Sequence, residues 1–177
     1  HPFTIEEGGE SRLKRGPMTD PAVQNLKDRA DISSVLYTYA TAIDSRDWDL
    51  LATCFAEDLE ADFRDFGGRQ VIKGRAAWVD AIRGTIAGLD ATQHLTANHV
   101  HKINGDTAIL TAYLQAVHRL DNARSDPEYT VGGYYTCNMV RFGEKEINGG
   151  WCVRHYKLTV TWHRGNRDIL RQARRRL

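Results

Sequence analysis

Residues His94 to Leu120 read HLTANHVHKINGDTAILTAYLQAVHRL, and this stretch decides the fold class. Two β-rich runs, His94–Ile103 and Thr107–Leu120, flank Asn104-Gly105, a dipeptide suited to the positive φ angles of a tight hairpin turn. Side chains alternate along a strand, so Ala108, Leu110, Ala112, Leu114, Ala116, His118 and Leu120 share one face and Tyr113 lies on the other. By the same rule His94, Thr96 and Asn98 share a face, Leu95 and Ala97 lie opposite, and His99 and His101 point away from His94.

Upstream of this hairpin the pattern is helical. Ile32, Val35, Leu36, Tyr39 and Ile43 recur at i, i+3, i+4 and i+7, one buried face of a helix that closes on Asp44. Asp47 reads as the N-cap of a second, short helix containing Asp49, Leu50 and Leu51. Leu59, Ala61 and Phe63 alternate with polar residues as a half-buried strand, and Gly67-Gly68 turns it toward a partner through Val71 and Ile72. After Gly74, Trp78, Ile82 and Ile86 predict a third helix ending near Gly88.

Downstream, Tyr134–Phe142 and Trp151–Trp162 read as a second strand pair across the polar stretch 143–150. Helices first and long strands afterwards predict an α+β fold, not alternating βαβ units. Residues 1–20 read as a leader or disordered tail, with Met18 as a possible native start. Residues 21–170 read as one domain and 171–177 as a basic tail, with a short helix across 166–177.

Composition narrows the function. With 41% hydrophobic and 27% charged residues the chain has the make-up of a soluble globule, and a net charge of +1 draws it toward neither nucleic acid nor an anionic membrane. No apolar run reaches the roughly 20 residues a bilayer-spanning helix needs. The scattered, odd set Cys54, Cys137 and Cys152 argues for a reducing compartment, the cytoplasm, and Cys54 reads as a small core residue. The arginines near the C-terminus lack the interleaved aromatics of a nucleic-acid surface. Nucleotide-binding glycine motifs and a nucleophile elbow are absent, and the His-x-His pair His99/His101 has no convincing third ligand for a metal.

The residues with chemistry to offer are Asp44 and His94. A carboxylate that orients an imidazole is the minimum equipment for moving a proton at carbon or oxygen. On the residues alone His94 fits either that role or a hydrogen-bonded histidine inside the fold. Tyr39 fits equally a core residue of the helix stripe or a phenol assisting the reaction, with Tyr37 beside it. His118 fits a buried, hydrogen-bonded histidine or a second acid, and the alanines around it leave room for a ligand.

Four local patterns together carry a family resemblance over about residues 26–170: Tyr39-Ala40-Thr41-Ala42-Ile43-Asp44 followed by Asp47-Trp48; Thr92-Gln93-His94 with Asn98; Gly132-Gly133-Tyr134-Tyr135; and Gly150-Trp151 running to Trp162 and Gly165-Asn166. In this order and spacing the chain resembles the SnoaL-like branch of the NTF2-like superfamily, the branch of scytalone dehydratase, bile acid 7α-dehydratase and hexachlorocyclohexane dehydrochlorinase. The resemblance implies a cone: a curved, mixed, mainly antiparallel sheet wrapped around helices from the N-terminal half, with a pocket inside.

It further implies cofactor-free and metal-free chemistry in which Asp44 and His94 form the proton-transferring pair. Tyr39 matches a tyrosine five residues before the aspartate in the bile acid enzyme. The expected activity is a dehydratase-like lyase acting on a medium-sized apolar ring, with His94, Asp44 and Tyr39 catalytic and Tyr37, Thr96, Asn98 and His118 contacting substrate. An isomerase or cyclase using the same pair, or a non-catalytic binding domain, remains open. A homo-oligomer is expected, a trimer ahead of a dimer.

Overall fold

Asp20 starts the first helix by accepting a hydrogen bond from the Ala22 backbone N–H at 2.8 Å, and Pro21 follows in the first turn, where its missing N–H costs nothing. A computed structural model describes residues 20–143 and 147–177; the proposed leader and the Met18 start lie outside them. Helix α1 (Pro21–Ser45) buries Ile32, Val35, Leu36, Tyr39 and Ile43, the stripe its spacing predicts. Each fully buried Ile or Leu there contributes about 1.5–3 kcal/mol, which anchors the last turn against the sheet although it carries the half-buried Asp44. The helix stops where Arg46 turns left-handed at φ 63°.

Asp47 caps α2 (Trp48–Thr53) by accepting from Leu50 N–H at 2.9 Å. Helix α3 (Arg75–Ile86) buries Trp78, Val79, Ile82 and Ile86, and α4 (Ile169–Arg174) packs beside it. Among the described residues no helix is long and apolar enough to cross a membrane.

The strands are β1 (Phe55–Asp62), β2 (Ile72–Lys73), β3 (Ala91–Asn104), β4 (Thr107–Arg119), β5 (Glu128–Arg141) and β6 (Trp151–Gly165). They form one six-stranded sheet in the order β2-β1-β6-β5-β4-β3. Only β1–β6 is parallel, so the sheet is mixed and mainly antiparallel, as expected. It curves without closing, and its concave face meets the helices.

Four details depart from the sequence reading. First, a bulge interrupts β3 between Ala97 and Val100, with Asn98 at φ 52°. The extra residue reverses the alternation, so His99, His101 and Ile103 join His94 and Thr96 on the helix-facing side, while Asn98 turns to solvent. The shared face proposed for Asn98 and the opposite face proposed for His99 and His101 are both corrected by this one residue.

Second, β5 begins at Glu128, not Tyr134, because Gly132 and Gly133 lie inside the strand. The Trp162 ring covers Gly132 and the Thr159 carbonyl presses on Gly133, so neither position has room for a Cβ. Third, β1 runs from Phe55, further back than Leu59, on its parallel pairing with β6. Fourth, α4 spans residue 170, with Ile169, Leu170 and Ala173 buried. Of the polar stretch before β6, residues 144–146 lie outside the description.

Candidate active site

The last turn of α1 and the start of β3 meet at one carboxylate. Asp44 Oδ1 lies 2.8 Å from His94 Nδ1, and Asp44 Oδ2 accepts the His94 backbone N–H at 2.8 Å. Thr92 Oγ1 donates to Asp44 Oδ1 at 2.9 Å and itself accepts from Arg46 Nη1 at 2.7 Å. The left-handed turn at Arg46 folds its side chain back, where Nη1 also donates to the Ile43 carbonyl at 2.8 Å. Thr92 and His94 are two residues apart, so strand alternation presents both to Asp44.

Burial pulls the Asp44 carboxyl upward, but the hydrogen bonds and charge of His94, with Thr92, bring it below its ordinary value. An ionised Asp44 accepts, so the His94 Nδ1 carries a proton and Nε2 is the ring nitrogen left to face the cavity side.

His94 lines a cavity of about 730 Å³ together with Tyr39, His118, Leu114, Ala116 and Trp78. That is within the range of small-molecule sites. His118 Nδ1 donates to the Tyr129 carbonyl at 3.1 Å, leaving Nε2 as an acceptor, and its ring centroid is 5.8 Å from that of His94. Burial, reinforced by the neighbouring His94, pushes His118 down to about 4. His118 is therefore neutral at pH 7 and accepts a hydrogen bond, so it does not stand ready as the second acid considered above.

Tyr39 is 3% exposed, and burial pushes its phenol up to about 12, which keeps it protonated. Its ring stands edge-on to His94 at 6.2 Å and joins Tyr135 and Tyr156 at 5.8 and 5.3 Å.

The remaining candidates fall outside the cavity lining. Tyr37 is 53% exposed and stacks on His99. Thr96 contacts His99 Nε2 at 3.2 Å, Asn98 faces solvent on the bulge, and the Ser33 hydroxyl sits between His99 Nδ1 and His101 Nε2. Among the described residues no three His, Cys, Asp or Glu side chains gather as a metal site.

Three contributors were not singled out from sequence. Thr92 stands two residues before His94, a spacing that puts both side chains on one strand face. Arg46 carried no local signal, since its reach depends on a left-handed turn. Trp78 has the spacing of a core residue, yet among the described residues its buried Nε1 has no hydrogen-bond partner, and its ring lines the cavity.

Comparison with known proteins agrees with this architecture. The SnoaL-like domain matches residues 24–157. Scytalone dehydratase of Colletotrichum orbiculare is 24% identical over 152 residues, covering 82% of this chain and 80% of that enzyme. An uncharacterized protein of Mycobacterium tuberculosis is 32% identical over 91 residues, 49% of this chain; the match spans only 58% of that relative's length. The crystal structure of the Kfla4162 protein from Kribbella flavida superposes with a TM-score of 0.72 at 25% identity, covering 85% of this chain and 99% of that one. The chain therefore belongs to the SnoaL-like domain family, within the NTF2-like superfamily.

Proposed function

We propose that the protein is a dehydratase-like lyase that removes a proton from a medium-sized, largely apolar cyclic substrate without an organic cofactor. The single observation that carries this reading is His94, held through Nδ1 by Asp44 and lining an open cavity. Similarity to a scytalone dehydratase supports the reaction class.

In this reaction Nε2 of His94 takes a proton from the carbon beside a carbonyl. The C–H electron pair becomes the new C=C bond, the C–O bond breaks, and hydroxide leaves as water after gaining the proton from the imidazolium. Asp44 stabilises that imidazolium and fixes its tautomer, while the Tyr39 phenol donates to the substrate carbonyl. His118 Nε2 accepts from the departing hydroxyl and orients it.

The test is turnover by purified protein screened on hydroxylated cyclic ketones, then repeated with Asp44→Asn and His94→Ala. Each substitution is expected to lower kcat by about 10²–10⁴-fold. Unchanged turnover in both variants refutes the proposal. An isomerase or cyclase would use the same pair, and the product separates them: only elimination releases water.

We also propose a homo-oligomer, with a trimer ahead of a dimer, in the cytoplasm. The convex face of the sheet supports association, since Leu95, Val100, Ile109, Tyr113 and Trp162 are each 44–60% exposed there.

A further inference from the structure

At its mouth the cavity changes character. Tyr39, Leu114, Ala116 and Tyr135 in its lining are buried, whereas Arg167, Arg171 and Arg174 are exposed and so mark its solvent side, with a single carboxylate, Asp168. The three arginines recur at i, i+4 and i+7, one side of the turn leading into α4 and of the helix itself. Asp168 is already paired with Arg171 at 2.6 Å. The other two have no carboxylate partner among the described residues.

Both are nevertheless held in place. Arg167 Nη2 donates to the Phe66 carbonyl at 2.6 Å, with its guanidinium packed over Gly67, and Arg174 Nη2 donates to Thr85 Oγ1 at 3.0 Å. One guanidinium is thus fixed on the side of the turn after β1 and the other on the side of α3. A guanidinium has five N–H donors in a rigid fork, so each keeps donors beyond the one that positions it.

We infer that Arg167 and Arg174 form an anion subsite at the cavity mouth, and that the substrate is an acidic ring compound. Its carboxylate or similar oxyanion stays at the mouth while its ring enters toward His94. This rests on the proposed reading of the cavity as a substrate site, and it names a feature of that substrate. It also explains how an apolar cavity could orient its contents, since a charged end held outside leaves the opposite end of the ring to face His94.

The experiment is calorimetric titration of the full chain with 2-naphthoate and with 2-naphthamide, which share a ring system and differ in charge. The naphthoate is expected to bind about tenfold more tightly at low salt, with the advantage shrinking as NaCl is raised. In the Arg167→Ala/Arg174→Ala double variant the preference should collapse to within about twofold while amide affinity is kept. Equal affinity for the two probes in the unaltered protein overturns the subsite and leaves the cavity reading standing. So does a preference that survives the double substitution. Failure of both probes to bind overturns the occupied cavity and the subsite together.

Discussion

Lowering the pH should destabilise the fold through His118, and the size of the effect follows from its surroundings. The side chain is 2% exposed, donates one hydrogen bond to the Tyr129 carbonyl and sits beside His94. Its folded value of about 4 lies below the roughly 6.5 of an unfolded histidine. Between those values the unfolded chain binds more protons than the folded one, so stability falls as the pH drops through the window. The contribution is complete above pH 6.5 and lost below pH 4.

At about 1.36 kcal/mol per pH unit the full effect is about 3 kcal/mol, of which about 2 kcal/mol appears between pH 7 and 4.5. Half-buried His99 and His101 are depressed by burial as well and act in the same direction, so a variant is needed to isolate His118. Urea unfolding followed by circular dichroism at pH 7 and 4.5 would compare the unaltered protein with His118→Gln. The variant, whatever its starting stability, should lose about 2 kcal/mol less over that interval. Equal losses in the two proteins would refute the assignment of His118 as a neutral buried acceptor.

Thr92→Val removes the hydroxyl between Arg46 and Asp44 and should cost about 1–2 kcal/mol in chemical denaturation, with Thr92→Ser restoring most of it. Two glycines near α4 should respond oppositely to alanine in thermal melts. A Cβ on Gly88 would press on the Ala173 carbonyl and should cost about 1–3 kcal/mol, whereas Gly84 lies in α3 facing open space and its substitution should gain about 0.5–1 kcal/mol. Tyr113→Lys, placed on the 60% exposed outer face, should lower the sedimenting mass if that face joins copies of the chain. An unchanged sedimentation coefficient would remove that face from the assembly.

Much of this molecule was legible because its patterns are local. The α1 stripe, the Asp47 cap and the hairpin at Asn104-Gly105 are set by residues within a few positions of each other. The first two appear as read, and the hairpin forms with its turn one residue on, at Gly105-Asp106, where Gly105 takes φ 56° and Asn104 pairs with Thr107. Asp44 and His94 were legible one at a time from family pattern, and their contact at 2.8 Å depends on both elements ending in register.

What escaped depends on single-residue irregularities or on distant packing. The β3 bulge reverses a parity argument without leaving a signature in Ala97-Asn98-His99 beyond an asparagine that tolerates positive φ. Gly132-Gly133 looks like a strand end until Trp162, thirty residues later, is known to lie across it. Arg171 and Arg174 read as basic residues near the end of a short C-terminal helix and Arg167 carries no signal of its own, because nothing nearby in sequence reports that Phe66 and Thr85 hold Arg167 and Arg174 at a cavity.

The parallel seam between β1 and β6 has a consequence for how the chain is made. Phe55 must wait for Val153, and Ala61 for Tyr156, so a strand synthesised early stays without its main partner until the end of the sheet emerges from the ribosome. Until then β1, with its small β2 hairpin, and the β3-β4-β5 meander are separate pieces, each with an open edge toward the gap that β6 will fill. Translation, not only thermodynamics, then decides how long those edges are exposed. Nascent chains stalled before Trp151 should accordingly be far more readily cleaved by protease than chains stalled after α4 has cleared the exit tunnel.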